Sequence, residues 1–184
     1  SDLDGRGWRL IPIHLKDAGA TVKHRPIRKE IDDGLTPEVV VLFLAPSRAL
    51  DFVKRLLFRY DKSELPLIWF QHGAKNEQAI QMLKQWNAEF IIDDCIVEYI
   101  TRNGLKKDPK GILPWFRQTK SLDDDGCSIW QSFDGKKEIE LSPNELEWVG
   151  DIIDLELSQH IIPRYIRSMK KEGESLHKLA VRLS

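Results

Sequence analysis

Cysteine is scarce in this sequence, and long apolar runs are missing. Two cysteines, Cys95 and Cys127, provide neither a disulfide framework nor the four ligands of a structural zinc site. We therefore expect a reducing intracellular compartment, the cytoplasm or the mitochondrial matrix. No apolar run reaches the roughly 18 to 20 residues that span a bilayer, so we expect no membrane span. The N-terminus shows no signal peptide, although a processed precursor would also lack one.

The sequence also lacks the motifs of common catalytic, metal and phosphate sites. It contains no Gly-x-Ser-x-Gly, no Walker loop and no Gly-x-Gly-x-x-Gly. Its five histidines show no metal-ligand spacing. A net charge of −1 argues against a general electrostatic affinity for nucleic acid. The sequence therefore predicts neither catalytic nor metal-binding residues, and it favours a non-catalytic protein.

The composition, with 41% hydrophobic and 31% charged residues, is typical of a globular protein. Apolar runs and helical periodicity alternate along the N-terminal half, which predicts a doubly wound α/β sheet. The predicted strands are Trp8–Ile13, Glu38–Pro46, Leu67–Phe70 and Glu89–Asp93. The predicted helices are residues 47–60, residues 76–87 and a short helix that begins at Cys95. Ser47 is expected to cap the first of these helices.

A different pattern follows Thr101. Two strands are predicted around Asp134-Gly135, a favourable hairpin turn. The run Ser142-Pro143-Asn144-Glu145 has the signature of a helix start, and Leu146, Val149, Ile152, Ile153 and Leu157 would line that helix. Pro163 is expected to end or kink it, before a second basic helix.

Charge is segregated along this C-terminal half. Residues 102–120 contain six basic residues and one acid, residues 122–160 contain eleven acids and two lysines, and residues from 163 onward contain six basic residues and two acids. These blocks form either a solvated surface or a tail that docks on protein partners. Trp115 and Phe116 within Arg102–Lys120 suit RNA stacking, a protein groove, or a strap packed on its own domain.

Three strand ends are candidates for a ligand site, because the carboxyl ends of parallel strands meet at one edge of a sheet. They are Ala45–Arg48, Gln71–Gly73 and Asp93–Cys95. Backbone N–H groups at a helix start favour anions, and Arg48 is able to pair with a phosphate. The alternative interpretation is that all three are ordinary capped turns.

The individual side chains leave similar alternatives open. His72 is either a base or ligand contact, or only a polar loop residue. Cys95 is either a thiol whose pKa is lowered at a helix start, or a small buried hydrophobe. Asp93 and Asp94 form either a carboxylate pair or helix caps.

Four stretches together carry a family resemblance: "GWRLIPIH", "EVVVLFLAPSRAL", "IWFQHGAKNEQAI" and "FIIDDCIVEYI". They resemble the small CoA-binding domain proteins of Rossmann type, which are similar to the nucleotide-binding domain of succinyl-CoA synthetase α subunits. The most specific part is the Trp-x-Gln-x-Gly strand end followed by an Asn-Glu helix start, here Trp69 to Glu77. The resemblance covers residues 7 to 100.

The resemblance implies a cleft for CoA or a related nucleotide. The cofactor-binding residues would be Pro46, Ser47, Arg48, Gln71, His72, Gly73, Asn76 and Cys95. The chain would then divide into a Rossmann-like domain over 1–101, a basic strap and β-hairpin over 102–141, and a helical extension over 142–184.

The sequence departs from the family at three points. His14-Leu15 replaces an Asn-Pro pair, and Asp94 replaces an arginine beside Cys95. The family's first strand, which is central in its sheet, and its glycine-rich phosphate loop have no counterpart here. Since the neighbours of a central strand would be left with unpaired backbone groups, we expect an N-terminal segment, other residues or a partner to fill the gap.

Two functions follow from these observations. The first is a non-catalytic CoA- or nucleotide-binding domain, either intact or degenerate. The second is a structural subunit of a large assembly, such as a mitochondrial or other ribonucleoprotein complex, that has lost ligand binding. The altered cleft and the charge-segregated tail favour the second function, and the resemblance favours the first.

Overall fold

The computed structural model describes residues 3, 6–107, 111–123 and 126–184. Its contacts divide the chain into two compact units. The first unit contains Ser1–Gly7 and Thr36–Asp108, and the second contains Trp8–Leu35 and Pro109–Ser184. Residues 8–35, which the sequence analysis grouped with the N-terminal domain, therefore pack with the C-terminal half. In the described part of the chain, no helix has the length and apolar character needed to cross a bilayer.

Strands and helices alternate along the first unit, and both kinds of element also occur in the second. Their bounds are β1 (Thr21–Val22), β2 (Arg25–Pro26), β3 (Val39–Leu42), α1 (Pro46–Arg59), β4 (Leu67–Phe70), α2 (Glu77–Trp86), β5 (Phe90–Ile91), α3 (Ile96–Arg102), β6 (Trp115–Lys120), β7 (Ser128–Phe133), β8 (Leu146–Asp151), α4 (Ile152–Leu157), α5 (Ile161–Ser168) and α6 (Leu176–Arg182).

These strands form three sheets. In the first unit, β3, β4 and β5 form a parallel sheet in that order, and α1 and α2 connect them. In the second unit, β7, β6 and β8 form an antiparallel sheet, and β1 pairs with β2. The predicted fold class, a parallel α/β sheet followed by a β-hairpin and helices, is confirmed.

The apolar runs of the first unit form the strands that their composition predicts. Residues Ile68, Trp69 and Phe70 of β4 are almost inaccessible, because helices cover such a parallel sheet on its faces. The helices contribute their apolar stripes to this core. Its buried members include Val40, Leu42, Val53, Leu56, Ile68, Trp69, Phe70, Ile80, Leu83 and Ile100.

Of the two helix caps predicted in the first unit, one is confirmed and one is wrong. Asn76 caps α2 as expected, and its side-chain oxygen accepts the N–H of Ala79 at 3.1 Å. Ser47 does not cap α1: Ala45 is the N-cap residue, and Pro46 is the first helical residue. Proline is favoured there because the first N–H of a helix has no intrahelical acceptor.

The helix predicted from Ser142 is wrong over its first half. Residues Leu146–Asp151 form β8, which pairs antiparallel with β6, and only Ile152–Leu157 is helical. The Ser142 hydroxyl accepts the N–H of Asn144 at 3.1 Å, so the apparent cap closes a turn instead. Asp151, at the end of the strand, is the residue that caps α4.

The hairpin forms between different strands from those predicted. Strand β7 is confirmed, but its partner is β6, and residues 136–145, which follow the turn, form no strand. The Asp134 carboxylate accepts the N–H of Lys136 at 3.0 Å, which makes this pair a local turn. Ile139 beyond it bonds to Thr21.

Pro163 neither ends nor kinks a helix. It lies at the third position of α5, where its missing N–H has no intrahelical partner to lose. The predicted basic helix in the tail is present as α5 and α6. Both pack on an aromatic core that contains Phe116, Trp148, Leu155, Ile166 and Leu179, with Trp130 beside it.

The first predicted strand, Trp8–Ile13, is also wrong. Ile13 makes only an isolated bridge with Arg28, whose N–H donates to the carbonyl of Pro12 at 2.9 Å. Ion pairs hold this segment to the C-terminal half. The Arg9 guanidinium lies 2.7 Å from Asp151 and 2.6 Å from Asp154, and Arg28 lies 2.9 Å from Asp151. Residues 8–35 belong to the second unit for this reason.

Candidate functional site

The carboxyl edge of the parallel sheet brings the three predicted strand ends together. Leu42 of β3 is in register with Phe70 of β4, and Ile91 of β5 is in register with Trp69. The turns that leave these strands therefore lie side by side. This edge is the position at which open α/β sheets bind ligands.

The first turn leads into α1. Pro46, Ser47 and Arg48 form its opening turn, and all three are exposed. This turn contains no acidic residue, so nothing within it neutralises the positive end of the helix dipole. Within the described part of the chain, Arg48 makes no ion pair. An exposed guanidinium at a helix start is a suitable contact for a phosphate.

The second turn connects β4 to α2. The backbone N–H of Ala74 donates to the carbonyl of Gln71 at 2.9 Å, and Gly73 has a φ of +80°. A side chain at position 73 would meet no atom within 4 Å, so backbone conformation rather than space requires glycine there. His72 is exposed beside it, and Asn76 is occupied as the cap of α2.

The third turn connects β5 to α3, and Gln71 reaches it from the neighbouring strand. The Gln71 Oε1 atom accepts the N–H of Ile96 at 3.2 Å. The N–H of Glu98 and the side chain of Gln71 lower the pKa of the Cys95 thiol, the direction expected for a thiol at a helix start. Cys95 is half-exposed, so it is not the fully buried hydrophobe of the alternative interpretation.

Trp69 also supports the third turn, although the sequence analysis assigned it no role there. Its indole Nε1–H donates to the carbonyl of Asp94 at 2.8 Å, and its ring meets Tyr99 edge to face at 5.0 Å. The indole is almost completely buried and therefore has a fixed orientation. It holds the Asp93–Cys95 turn against the end of β4.

Two cations that the sequence analysis missed lie beside this edge. Lys75 lies 3.0 Å from Glu77 and 4.0 Å from Asp93, and Arg102 pairs with Asp94. The Glu77 carboxylate raises the pKa of Lys75, and Asp94 raises that of Arg102. Asp93 and Asp94 are thus not a pair of unpartnered carboxylates.

The basic stretch Arg102–Lys120 does not offer aromatic rings to a partner. Trp115 and Phe116 have no exposed surface, because they are part of β6, the central strand of its sheet. Of the three alternatives for these rings, stacking on RNA and insertion into a protein groove are therefore excluded, and the rings pack within the chain's own fold. Residues 108–110 of the stretch lie outside the described residues.

Comparisons with known proteins identify the family of the chain. The sequence model of the CoA-binding domain matches residues 1–100. The uncharacterized protein YneT of Bacillus subtilis (strain 168) is 31% identical over 91 residues, which are 49% of this chain and 63% of YneT. The chain thus covers less than two thirds of the length of this relative.

Two solved structures align with part of this chain. The structure of cell-free ID.343 from Thermus thermophilus has a TM-score of 0.48 at 19% identity, and it aligns over 55% of this chain and 73% of its own. Prb, the PH1109 protein redesigned for binding, has a TM-score of 0.43 at 22% identity, over 53% of this chain and 65% of its own. Since the family model spans more than half of the chain, the protein belongs to the CoA-binding domain family.

Proposed function

We propose that the first unit binds CoA, or a nucleotide related to it, at the carboxyl edge of β3, β4 and β5 without catalysing a reaction. The observation that carries the proposal is the convergence of three strand-end turns in a chain of the CoA-binding domain family. The first of these turns opens α1 and carries Arg48, which is exposed and unpaired within the described residues.

Each side chain of this edge has a proposed role. Arg48 pairs with a phosphate, while the backbone N–H groups of Ser47 and Arg48 face the same negative charge. Gly73 lets the ligand approach the backbone of the second turn, next to His72. Gln71 and Asn76 fix the turns through hydrogen bonds from the N–H groups of Ile96 and Ala79, respectively. Cys95 lies at the third turn and has a thiol whose pKa is lowered.

Calorimetric titration of CoA into the whole chain at physiological salt tests the proposal. We expect saturable binding that Arg48→Gln weakens roughly tenfold to a hundredfold, since a hydrogen bond to a charged group contributes roughly 1.5 to 3 kcal/mol. Arg55→Gln is the matched control, because Arg55 is an exposed arginine on the same helix but not in its opening turn. Absence of both heat and thermal shift at millimolar CoA would refute the proposal.

The second candidate is a structural subunit of a larger assembly, such as a ribonucleoprotein complex, in which the cleft has lost its ligand. One observation favours it: Lys75 and Arg102 are both paired with carboxylates, so the edge offers little uncompensated positive charge to a polyphosphate. Gel filtration of native cell extract tests this candidate. A subunit elutes with its assembly, whereas elution as a monomer with no co-purifying protein or RNA argues against it.

A further inference from the structure

Arg102 is the last residue of α3, but its charged group lies near the start of that helix. Side chains on a helix point toward its N-terminus, and α3 is only seven residues long. The Arg102 guanidinium therefore reaches the third turn, where it donates a hydrogen bond to the Asp94 carboxylate. This contact places a cation at the carboxyl edge of the parallel sheet.

Aromatic rings hold this guanidinium in place independently of Asp94. The central carbon of the guanidinium lies over the ring of Tyr99, 5.3 Å from the ring centroid. Tyr99 packs edge to face on Trp69, whose indole is almost completely buried. Because a cation is attracted to the face of an aromatic ring, the position of the Arg102 guanidinium does not depend on its carboxylate partner alone.

Much of the guanidinium is available to a ligand. The Arg102 side chain is 54% exposed, and within the described part of the chain Asp94 provides its only hydrogen-bond acceptor. A guanidinium has five N–H donors in a planar arrangement that matches the oxygens of a phosphate. The Asp94 carboxylate, with its side chain 24% exposed, is the group that a phosphate would displace there.

We propose that Arg102 is a second phosphate contact of the carboxyl edge, and that Asp94 limits its strength by occupying the guanidinium until a phosphate of the nucleotide displaces the carboxylate. This inference rests on the proposed function, because it concerns the same edge. Since β4 lies between β3 and β5, Arg48 at the first turn and Arg102 at the third flank the second turn. Two separated arginines favour a nucleotide with more than one phosphate group.

Calorimetric titration of CoA into the whole chain of Asp94→Asn, at physiological salt, tests the proposal. The substitution removes a negative charge and keeps the shape of the side chain. It also leaves the hydrogen bond from Trp69 in place, because the backbone carbonyl of Asp94 accepts that bond. We expect CoA to bind roughly tenfold more tightly than to the unaltered chain, because the phosphate no longer competes with a carboxylate for Arg102.

Two further variants separate a contact with Arg102 from a general effect of charge. Glu98→Gln is the matched control, because Glu98 is an exposed acid on α3 whose carboxylate makes no ion pair within the described residues. It should change the affinity for CoA by at most about twofold. In the double variant Asp94→Asn, Arg102→Gln the gain should be lost, because the strengthened contact is missing. Circular dichroism should show every variant folded, since no substituted side chain is fully buried.

The possible outcomes distinguish the role of Arg102 and Asp94 from ligand binding at the edge as a whole. Absence of CoA binding in the unaltered chain and in every variant refutes the proposed function, and this inference with it. CoA binding that Asp94→Asn does not tighten, or that Glu98→Gln tightens equally, refutes this inference alone. A gain that persists in the double variant also refutes it, because Asp94 would then repel the ligand without Arg102 taking part. A gain confined to Asp94→Asn and abolished by Arg102→Gln supports it.

Discussion

Arg28 and Asp154 show at the scale of single residues how the second unit is held together. Arg28 is 4% exposed and Asp154 2%, and the guanidinium donates to the carboxylate through Nε at 3.0 Å. Arg9 and Asp151 complete the cluster. Burial by itself would raise the pKa of Asp151, but the charges of Arg28 and Arg9 outweigh that effect and hold its pKa below the ordinary value. All four charges are therefore compensated inside the unit.

Replacing Asp154 should be among the most destabilising single changes in this unit. Asp154→Ala leaves Arg28 buried with one carboxylate fewer and removes half of the capping box of α4. Breaking a buried pair in this way costs roughly 3 to 5 kcal/mol. Urea unfolding followed by circular dichroism measures the loss. Glu156→Ala, an exposed acid on the same helix, should change stability by less than about 0.5 kcal/mol, and equal losses would contradict the assignment.

Helix α6 illustrates a contact at the scale of an element. Glu174 precedes the helix, and its carboxylate accepts from Arg182 in the last turn, at 2.8 Å from Nε and 3.0 Å from a terminal nitrogen. Arg182 also donates to the carbonyl of Met169, after α5. Chiefly because of Arg182, the pKa of Glu174 is lowered to about 2. The pair connects the two ends of α6 and links them to α5.

This pair should show a characteristic dependence on pH. A carboxylate whose folded pKa is depressed stabilises the fold above its unfolded pKa of roughly 4.3, and the contribution is lost as the pH falls toward about 2. NMR titration of the Glu174 carboxyl carbon should give a midpoint near 2. In Arg182→Gln the midpoint should move up toward the ordinary value, whereas in Lys178→Gln, an exposed cation of the same helix, it should stay. No shift in Arg182→Gln would contradict the contact.

Strand β8 shows why the spacing of apolar residues did not predict the correct secondary structure there. Leu146, Val149, Ile152 and Ile153 have helical spacing, and Ser142 with Glu145 resembles a capping box. The backbone of Leu146–Asp151 nevertheless pairs with β6, and Gly150 lies so close to Asp154 and Trp148 that any side chain there would come within 3 Å of them. Pairing with a distant strand outweighs a helical preference that the sequence expresses only locally.

The whole molecule has a discontinuous second unit, because Trp8–Leu35 contributes to it from the N-terminal side. This segment brings Arg9 and Arg28 to the two aspartates, and Asp32 accepts from Trp148 and Ser158 at 2.8 and 2.6 Å. The two halves of the unit are thus joined by part-buried polar contacts across more than a hundred residues of chain.

A fragment that contains only the C-terminal half should therefore not fold. In a fragment of residues 109–184, Asp151 and Asp154 would be buried without either arginine, which is strongly unfavourable. We expect no cooperative thermal transition in this fragment, and restoration of one when a peptide of residues 8–35 is added. Cooperative unfolding of the fragment alone, at the temperature of the intact chain, would show that the segment is dispensable.

The sequence by itself determined the elements of the first unit and the turns at its carboxyl edge. Its strands are continuous apolar runs and Asn76 caps its helix, so short-range signals and global fold agree there. Only the tertiary structure decided where residues 8–35 pack, which strands flank β6, and that Trp115 and Phe116 are buried. Each of these depends on contacts between residues far apart in the chain, such as Arg28 with Asp154, which no local spacing encodes.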